Sequence, residues 1–380
     1  MSNYTADVIV IGSGISGASA AYYCQKMGLS TICLEKTLIG DGQSSRNGGF
    51  VRQSGRGDWD YPLSTLAVDI WKGMKDELGV DPEYRQLGYL IYAFTEAQEK
   101  KLRDRIVMAA KYGVNMEYVK KEDIKKYNPY TSDMPVCAGY TDTDGVANPL
   151  KAPLAFYKRG REIGVRYFTD EKVIKLKTVK GKIRKVYGLS GNVYEADNVI
   201  VAAGIGSQNI LKTIGIEMPA LYATADVIVT EKAPHMFDHT VGAIDGFYGS
   251  QTVDGTFVFG HSNPYNKFRT PELYSKSCQY NIAYVCDTIG QYFPALKKLK
   301  VMRSWSGVTD ASPDGKPVLG GFKELPGLYT FMNSSGTSFC LGPGVGYVLA
   351  QMVAGEKPSV DVSALSPDRF TYSRDCLLPY

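Results

Sequence analysis

The first 35 residues carry the pattern of a strand, a helix and a second strand. Residues 7–11 form an apolar run of strand length, and residues 18–27 place apolar side chains at helical spacing. Gly28 follows the helical stretch, and residues 31–34 form a second apolar run. The amino-terminal end is therefore predicted to be a β-α-β unit.

The rest of the chain mixes helical stretches with short strands. Helical spacing recurs at residues 62–78, 95–113, 121–127, 148–163, 271–290 and 344–354. Strands are predicted at 165–168, 172–178, 182–188, 192–195, 198–203, 226–230, 256–260 and 328–332, with a hairpin turn at Lys180-Gly181. Segments typical of nucleotide binding lie at both ends and at 148–215, so we expect two interleaved domains.

Composition and charge exclude several classes of protein. The chain is 44% hydrophobic and 22% charged, which is ordinary for a globular protein. Lys and Arg number 43 against 39 Asp and Glu, and the net charge of +4 is too small to predict a nucleic-acid or anionic-membrane surface. No apolar run approaches the roughly 20 residues of a membrane span. The seven cysteines form no CxxC pair, and with only three histidines they predict no metal site. We expect the thiols to be reduced and the protein to be cytoplasmic.

The strongest chemical signal is the glycine-rich sequence at residues 12–17, which follows a strand and opens a helix. Gly12 permits a tight turn, Gly14 lets the backbone approach a pyrophosphate, and Gly17 allows the helix to pack closely. The helix N-terminus adds unpaired N–H groups and a partial positive charge. Glu35 follows Gly12 by 23 residues, where a carboxylate can accept hydrogen bonds from ribose hydroxyls. This pattern predicts FAD or NAD, not NADP.

Three later segments favour FAD. Residues 44–49 combine hydroxyls, an arginine and two glycines, and residues 198–204 form an apolar strand that ends in small residues. Residues 335–344 are glycine-rich and lead into a helix. A helix N-terminus directed at a flavin would stabilise the negative charge of the reduced ring, whereas a nicotinamide enzyme does not need this arrangement.

Together these segments resemble the D-amino-acid oxidase/sarcosine oxidase family of flavoproteins over essentially the whole chain. The matching residues are 12–17, Glu35, 44–49, Asp144-Gly145, Asn148-Pro149, 199–204, 305–307, 313–317 and 334–346. The Leu-Gly-Pro sequence at 341–343 and the stretch at 49–56 are most similar to the β-subunit type of the family. This type includes sarcosine oxidase, D-hydroxyproline or proline dehydrogenase and opine oxidase subunits.

The resemblance implies an α/β fold (α+β overall), with a Rossmann-like FAD-binding domain interleaved with an antiparallel-sheet substrate domain. The FAD-binding domain is expected to comprise residues 1–85, 141–215 and 301–380, and the substrate domain residues 86–140 and 216–300. Val173 falls where the family places a backbone contact to adenine. The predicted cofactor-binding residues are Gly12, Gly14, Ile15, Ser16, Gly17, Glu35, Lys36, Ser44, Ser45, Arg46, Asn47, Gly48, Gly49, Val173, Ala203, Gly204, Gly336, Thr337, Ser338, Phe339, Cys340 and Leu341.

The chain also departs from the family at three positions. Glycine-oxidase-like members carry a substrate-binding arginine where this chain has Thr309. Monomeric sarcosine oxidases place an oxygen-activating lysine where it has Cys340, and they attach FAD through a cysteine that residues 303–312 lack. These departures imply non-covalent FAD and poor oxygen reactivity.

Candidate substrate-binding residues follow from the chemistry of amine oxidation. A guanidinium binds a carboxylate through two hydrogen bonds, so Arg52 and Arg56, just beyond the flavin loop, are candidates, and Arg303 is a third. Tyr248 is a candidate hydrogen-bond donor, and His261 a further site residue. The competing interpretation is a structural salt bridge for the arginines and core packing for Tyr248 and His261. Cys340 is expected beside the flavin as a small packing residue.

We therefore expect an FAD-dependent dehydrogenase that oxidises a C–N bond of a secondary amine or (D-)amino acid to an imine, by hydride transfer to flavin N5. Electrons would pass to a partner subunit or carrier. The alternatives are a hydrogen-peroxide-producing amino-acid or sarcosine oxidase, a non-catalytic FAD-bearing subunit of an electron-transfer complex, and an NAD-linked dehydrogenase.

Overall fold

The strands in the described part of the chain form two eight-stranded sheets and a small three-stranded sheet. The computed structural model describes residues 2–54, 57–261 and 277–370. The strands in these ranges are β1 (Asn3–Ile11), β2 (Thr31–Leu34), β3 (Phe50–Val51), β4 (Arg85–Gln86), β5 (Tyr89–Ala93), β6 (Glu117–Lys120), β7 (Cys137–Thr141), β8 (Gly145–Val146), β9 (Arg166–Phe168), β10 (Val173–Val179), β11 (Lys182–Gly188), β12 (Val193–Val201), β13 (Leu221–Thr230), β14 (Thr240–Ala243), β15 (Phe247–Gln251), β16 (Phe257–His261), β17 (Val301–Ala311), β18 (Val318–Gly321) and β19 (Leu328–Met332).

The α-helices cover the first sheet and flank the second. Those in the described ranges are α1 (Ile15–Lys26), α2 (Tyr61–Leu78), α3 (Glu96–Lys111), α4 (Ile124–Tyr127), α5 (Lys151–Glu162), α6 (Ser207–Lys212), α7 (Gln279–Tyr292) and α8 (Ser338–Val353). None of them is both long and apolar enough to cross a bilayer. The six cysteines in these ranges are free thiols.

The first sheet has parallel strands at its centre. Its order is β10-β11-β12-β1-β2-β9, and β19 pairs in parallel with the carboxyl-terminal half of β12. Val8 and Val10 of β1 pack against a core formed with α1, α2, α5 and α8, whereas Ile9 and Ile11 face a second core on the opposite side. Because both faces are covered, these strands are continuous apolar runs without alternation.

The second sheet is antiparallel except for one pair. Its order is β17-β13-β16-β15-β14-β5-β7-β6, and β14 runs parallel to β5. The predicted fold class, a Rossmann-like unit combined with a largely antiparallel sheet, is confirmed. The division into domains stays a prediction, but β17, which was expected in the first unit, pairs with β13 in the second sheet.

Several elements differ from the sequence-based expectation. Strand β13 begins at Leu221, five residues before its predicted start at 226, and the helix predicted at 271–290 is α7, which begins at Gln279. The strands predicted at 192–195 and 198–203 are the single strand β12, because residues 196–198 continue its pairing with β1. Helix α8 begins at Ser338, six residues before its predicted start at 344. Gly342 and Gly344 suggested a loop, but in the helix they lie against Ile15 and Ala67, where larger side chains would collide.

Helices α1 and α8 approach each other too closely for side chains at their contact. A Cβ on Gly346 would lie 2.0 Å from Ser19 Oγ and 2.5 Å from Ala20 N, and one on Gly342 would lie 2.5 Å from Ile15 Cγ2. The Ser19 hydroxyl donates a hydrogen bond of 2.8 Å to the Gly342 carbonyl. This contact holds the amino-terminal and carboxyl-terminal helices side by side.

We predict that Gly346→Ala lowers the free energy of unfolding by roughly 1–3 kcal/mol, because the added methyl group overpacks a rigid contact. Gly73→Ala is the matched control, since Gly73 is an exposed helical glycine with no atom within 4 Å of an added Cβ. It should stabilise the protein by up to about 1 kcal/mol. Urea unfolding of both variants measures the difference, and equal midpoints would contradict the packing argument.

Candidate active site

A large cavity opens where the carboxyl ends of β1, β2, β12 and β19 meet the second sheet. Its volume is about 1240 Å³. Residues from both sheets and from the N-termini of α1 and α8 line it. Ligands of open parallel sheets bind at the carboxyl ends of the strands, so this is the expected place for a bound molecule.

The glycine-rich loop after β1 forms one wall of the cavity. Gly12 has a φ of +100°, and a Cβ there would lie 2.5 Å from Ala202 O. A Cβ on Gly14 would lie 2.9 Å from Ser44 Oγ, whose hydroxyl accepts a 2.9 Å hydrogen bond from Ile15 N. Gly14 caps α1, so the positive end of the helix dipole faces the cavity.

Glu35 lies at the end of β2 and is half-buried. Its Oε2 accepts hydrogen bonds from Ser13 N at 2.9 Å and from Ser13 Oγ at 2.8 Å. Its Oε1 accepts one from Thr37 N at 3.1 Å. These three donors orient the carboxylate at the rim of the glycine-rich loop, within the cavity wall.

The loop that contains residues 42–49 is held by its own side chains. Arg46 donates hydrogen bonds to the carbonyls of Asp41 and Gly42, and Asn47 Nδ2 donates to Ser44 O at 2.7 Å. The loop is also tied to β17, since Trp305 Nε1 donates to Arg46 O at 3.0 Å. The predicted role of Arg46 in contacting the cofactor stays a prediction, but its guanidinium already stabilises the loop.

The first turn of α8 faces the cavity beside Arg52. Cys340 Sγ accepts a hydrogen bond from Arg52 N at 3.2 Å, and Trp71 Nε1 donates to Cys340 O at 2.8 Å. Burial raises the pKa of Cys340 to about 12, so the thiol is neutral at physiological pH. Thr309 also lines the cavity, and its hydroxyl donates to Ala223 O at 3.3 Å.

Arginines and tyrosines line the end of the cavity that lies against the second sheet. The guanidinium carbon of Arg52 lies 5.6 Å from the centroid of the Tyr89 ring. Arg105, on α3, lines the same end. Burial opposes the charge of Arg52, but the interactions with Tyr89, Asp144 and Cys340 raise its pKa overall.

Tyr248 is held between two glycines. A Cβ on Gly260 would lie 2.3 Å from Tyr248 Cζ, and a Cβ on Gly48 would lie 3.0 Å from Tyr248 Cε2. Its ring packs edge-to-face on Phe50, with centroids 5.4 Å apart. Burial raises the pKa of Tyr248 to about 12, which keeps its hydroxyl protonated and able to donate a hydrogen bond.

An aspartate–histidine pair also lines the cavity. His261 Nε2 lies 3.5 Å from Asp245 Oδ1, and Asp245 also accepts hydrogen bonds from Phe247 N and the Tyr292 hydroxyl. Burial works against ionisation of Asp245, but hydrogen bonds from His261, Tyr292 and Phe247 lower its pKa. No group of three or more side chains suited to a metal ion occurs in the described ranges.

The structure brings most predicted site residues to this cavity. Lining it are Gly12, Gly14, Ile15, Ser16, Glu35, Lys36, Ser44, Arg46, Asn47, Gly48, Arg52, Val173, Ala203, Gly204, Tyr248, His261, Gly336, Thr337, Ser338, Phe339 and Cys340. Gly17, Ser45, Gly49 and Leu341 do not line it. Arg303 is exposed, packs over the Trp305 ring and lies outside the lining, which gives no support for a substrate role. Arg56 lies outside the described residues.

Sequence reasoning missed several residues of the site, among them Arg105, Tyr89 and Asp245. Arg105 lies in a helix rich in charged residues, and Tyr89 and Asp245 belong to segments without a motif. One signal pointed to Arg105: it follows the buried Leu102 by three residues and precedes the buried Ala109 by four, so all three lie on one helix face.

The cavity fits an extended dinucleotide. Side chains on Gly12 and Gly14 would collide with the atoms around them, and their absence leaves a cradle beside the N-terminus of α1. The lining continues from Glu35 at one end, past the first turn of α8, to Tyr248 at the other. A molecule with an adenosine at one end and a flat ring system at the other matches the order of these groups along the cavity.

Comparison with known proteins agrees with this geometry. A family model described as "FAD dependent oxidoreductase" (DAO) matches residues 7–352. The beta chain of sarcosine oxidase from Rhizobium meliloti (strain 1021) is 26% identical over 96% of this chain and 88% of its own length. One subunit of the opine oxidase of Rhizobium meliloti is 24% identical over 97% of this chain and 98% of its own length. The crystal structure of L-proline dehydrogenase from P. horikoshii shares the fold, with a TM-score of 0.90 and 24% identity over 97% of this chain and 98% of that one. The predicted resemblance is confirmed: the chain belongs to the DAO family of FAD-dependent oxidoreductases, and FAD is its cofactor.

Proposed function

We propose that the protein is a dehydrogenase that oxidises a C–N bond of a secondary amine or amino acid to an imine. The observation that carries the proposal is the continuity of the cavity, which joins the dinucleotide cradle to an end that contains Arg52 and Tyr248. The names of the relatives, which are subunits of a sarcosine oxidase and of an opine oxidase, support an amine as substrate.

FAD would be held without a covalent bond. The loop at 12–17 and the N-terminus of α1 would bind the pyrophosphate, Glu35 the ribose, and Val173 the adenine. Residues 44–48 and the first turn of α8 would surround the flavin ring. Of the cysteines that the structure describes, only Cys340 lines the cavity, and its raised pKa makes it a poor nucleophile. When bound, FAD supplies the acceptor for the hydride that leaves the carbon beside the amine.

The side chains of the protein would act by orientation and electrostatics. Arg52 would bind the substrate carboxylate through two hydrogen bonds. Asp144 positions the backbone after Arg52, because it accepts hydrogen bonds from Gln53 N at 2.5 Å and Ser54 Oγ at 2.6 Å. Tyr248 and Cys340 are both neutral at physiological pH, so neither acts as a base. The substrate would react with its amine unprotonated, because loss of the hydride from the neighbouring carbon needs the lone pair of the nitrogen.

Electrons would leave for a partner subunit or a carrier. The curated relatives include two that are named as subunits, which supports a partner chain. Cys340 presents a neutral thiol where an oxygen-activating lysine would supply a positive charge, and this favours a dehydrogenase over an oxidase. Fast reoxidation of the reduced flavin by oxygen in stopped-flow measurements would favour the oxidase instead.

Anaerobic reduction of the bound flavin tests the function directly. We expect bleaching of the visible flavin band by at least one member of a panel of D- and L-amino acids, N-methyl amino acids and prolines. Arg52→Lys should raise the substrate concentration needed by about tenfold or more, because an ammonium cannot make the two parallel hydrogen bonds. Arg103→Lys, on the exposed face of α3, is the control. A flavin that no amine reduces would indicate a non-catalytic subunit.

The ribose role of Glu35 predicts weaker FAD retention in Glu35→Ala. The expected loss is about 1–3 kcal/mol, the cost of leaving hydrogen-bond partners unsatisfied. Glu77→Ala is a matched control, because Glu77 accepts hydrogen bonds from Tyr22 and Lys26 at the opposite end of α1. Equilibrium dialysis of FAD compares the two, and equal retention would argue against the ribose contact.

The ionisation of Asp144 predicts that the binding of carboxylates depends on pH. Burial raises its pKa to about 6, and its charge interacts with Arg52. Asp144 is neutral below that pH and negative above it, so the potential at Arg52 becomes less positive as pH rises. The Kd of an inhibitor such as trifluoroacetate, which stays ionised over this range, should therefore increase about three- to tenfold between pH 5 and 7.5.

Titration of the flavin spectrum at each pH measures this Kd. In Asp144→Asn the dependence should disappear, whereas the exposed neighbour variant Asp142→Asn should keep it. A dependence that persists in Asp144→Asn would assign the titration to another group.

A further inference from the structure

Glu171 is a buried carboxylate at the end of the cavity that contains Glu35. It is 4% exposed, belongs to the cavity lining and lies two residues before Val173. Its four hydrogen-bond donors are neutral groups of the β11–β12 turn and the start of β12: Ser190 N at 3.2 Å, the Ser190 hydroxyl, Asn192 Nδ2 at 3.3 Å and the Tyr194 hydroxyl at 2.8 Å. Burial opposes its charge, but these hydrogen bonds lower the pKa of Glu171, so the carboxylate is ionised.

The Glu171 carboxylate occupies space that a glycine leaves free. A Cβ on Gly188 would lie 2.2 Å from Glu171 Oε1. Gly188 is the residue opposite Val173 in the pairing of β10 with β11, so the carboxylate packs against the strand pair that contains Val173. Burial of an ionised group costs free energy that its hydrogen bonds have to offset, so the filling of space does not by itself account for a carboxylate here.

The backbone around Glu171 is fixed from two sides. Glu171 N donates to Glu35 O at 2.8 Å, and Leu189 N donates to Lys172 O at 2.8 Å. Asp170 has a φ of +55°, a left-handed conformation that is uncommon for residues other than glycine. Glu171 therefore connects the end of β2 to the β11–β12 turn. Loss of its carboxylate would leave four donors unsatisfied and release the segment that leads into Val173.

We propose that Glu171 is a positioning residue for FAD, which holds the backbone at Val173 where it can recognise the edge of the adenine base. Glu171 acts through residues 172 and 173 and not by contact with the cofactor. The inference rests on the placement of adenine at Val173, and it does not depend on the identity of the substrate. Its consequence is selection of adenine over other purines.

Flavin hypoxanthine dinucleotide is the probe for this selection. It differs from FAD at the purine, where an oxo group replaces the 6-amino group and the neighbouring ring nitrogen carries a proton, so donor and acceptor are exchanged. A fixed backbone N–H and C=O can match only one of these patterns. We expect the original full-length protein, dialysed from the holoenzyme against each dinucleotide, to bind FAD at least about tenfold more tightly.

Glu171→Gln should reduce this preference. The amide keeps the shape of the side chain, but it removes the charge and directs an N–H₂ group toward donors. The Kd of FAD should rise about tenfold, whereas that of the hypoxanthine analogue should change less than about threefold, because its base already lacks the matched contacts. Glu195→Gln is the control, since Glu195 lies on β12 and binds Lys185 at 2.6 Å on an accessible surface.

Gly188→Ala tests the same role without removal of the carboxylate. The added methyl group would displace Glu171 Oε1, so the preference for FAD should again decrease by about threefold or more. Gly73→Ala is the control, because an added Cβ there meets no atom within 4 Å. The two variants alter the charge and the position of the carboxylate separately, so the test does not depend on the folding of either one alone.

The ratio of the two Kd values separates positioning from a general role in stability. A structural role would lower the thermal unfolding midpoint and weaken both dinucleotides by the same factor. Equal weakening, or an unchanged ratio in both variants, would overturn the proposal, and equal binding of the two dinucleotides by the original protein would overturn it together with the adenine placement. Neither measurement uses an amine, so failure of the proposed function leaves this result unchanged.

Discussion

The close contact between α1 and α8 is the constraint on which the cavity depends. These helices come from opposite ends of the chain, and they meet where Gly342 and Gly346 leave room for the backbone around Ser19. Because they lie side by side, their N-termini face the same cavity. One helix dipole is then available to a pyrophosphate and the other to the flavin ring. Helices kept further apart by larger side chains would not present both ends to one ligand.

The second organising feature is the separation of charge along the cavity. The cradle end contains backbone N–H groups and a carboxylate, Glu35, whose position is set by Ser13 and Thr37. The opposite end contains Arg52 and Arg105, and the Asp245–His261 pair also lines the cavity. Tyr248 lies at the arginine end, and Cys340 lies beside Arg52. Under the proposed function the carboxylate of the substrate binds at this end, which sets the orientation on which catalysis depends.

Much of the fold could be predicted from local pattern. Apolar runs bounded by glycine identified β1, β2 and β19, and helical spacing placed α2 and α3 within two residues of their observed ends. These elements are decided by side-chain periodicity, which is a property of neighbouring residues. Strand β17 was grouped with the first unit although it pairs in the second sheet, and α8 was predicted too short. In both cases the deciding contacts are with residues far away in the chain.

The same distinction applies to the site. The glycine-rich cradle, the acidic residue after β2 and the family could be predicted from residues 12–17, Glu35 and the later loops, because each is a short motif whose spacing has a local physical reason. Arg52 was also a candidate, since it follows the loop around the cofactor. That Arg105 lines the same cavity as Arg52, and that Arg303 does not, follows from how distant parts of the chain pack together. A charged side chain on a helix or strand has the same local pattern whether it faces water or a cavity, and the packing of the whole chain determines which of the two it meets.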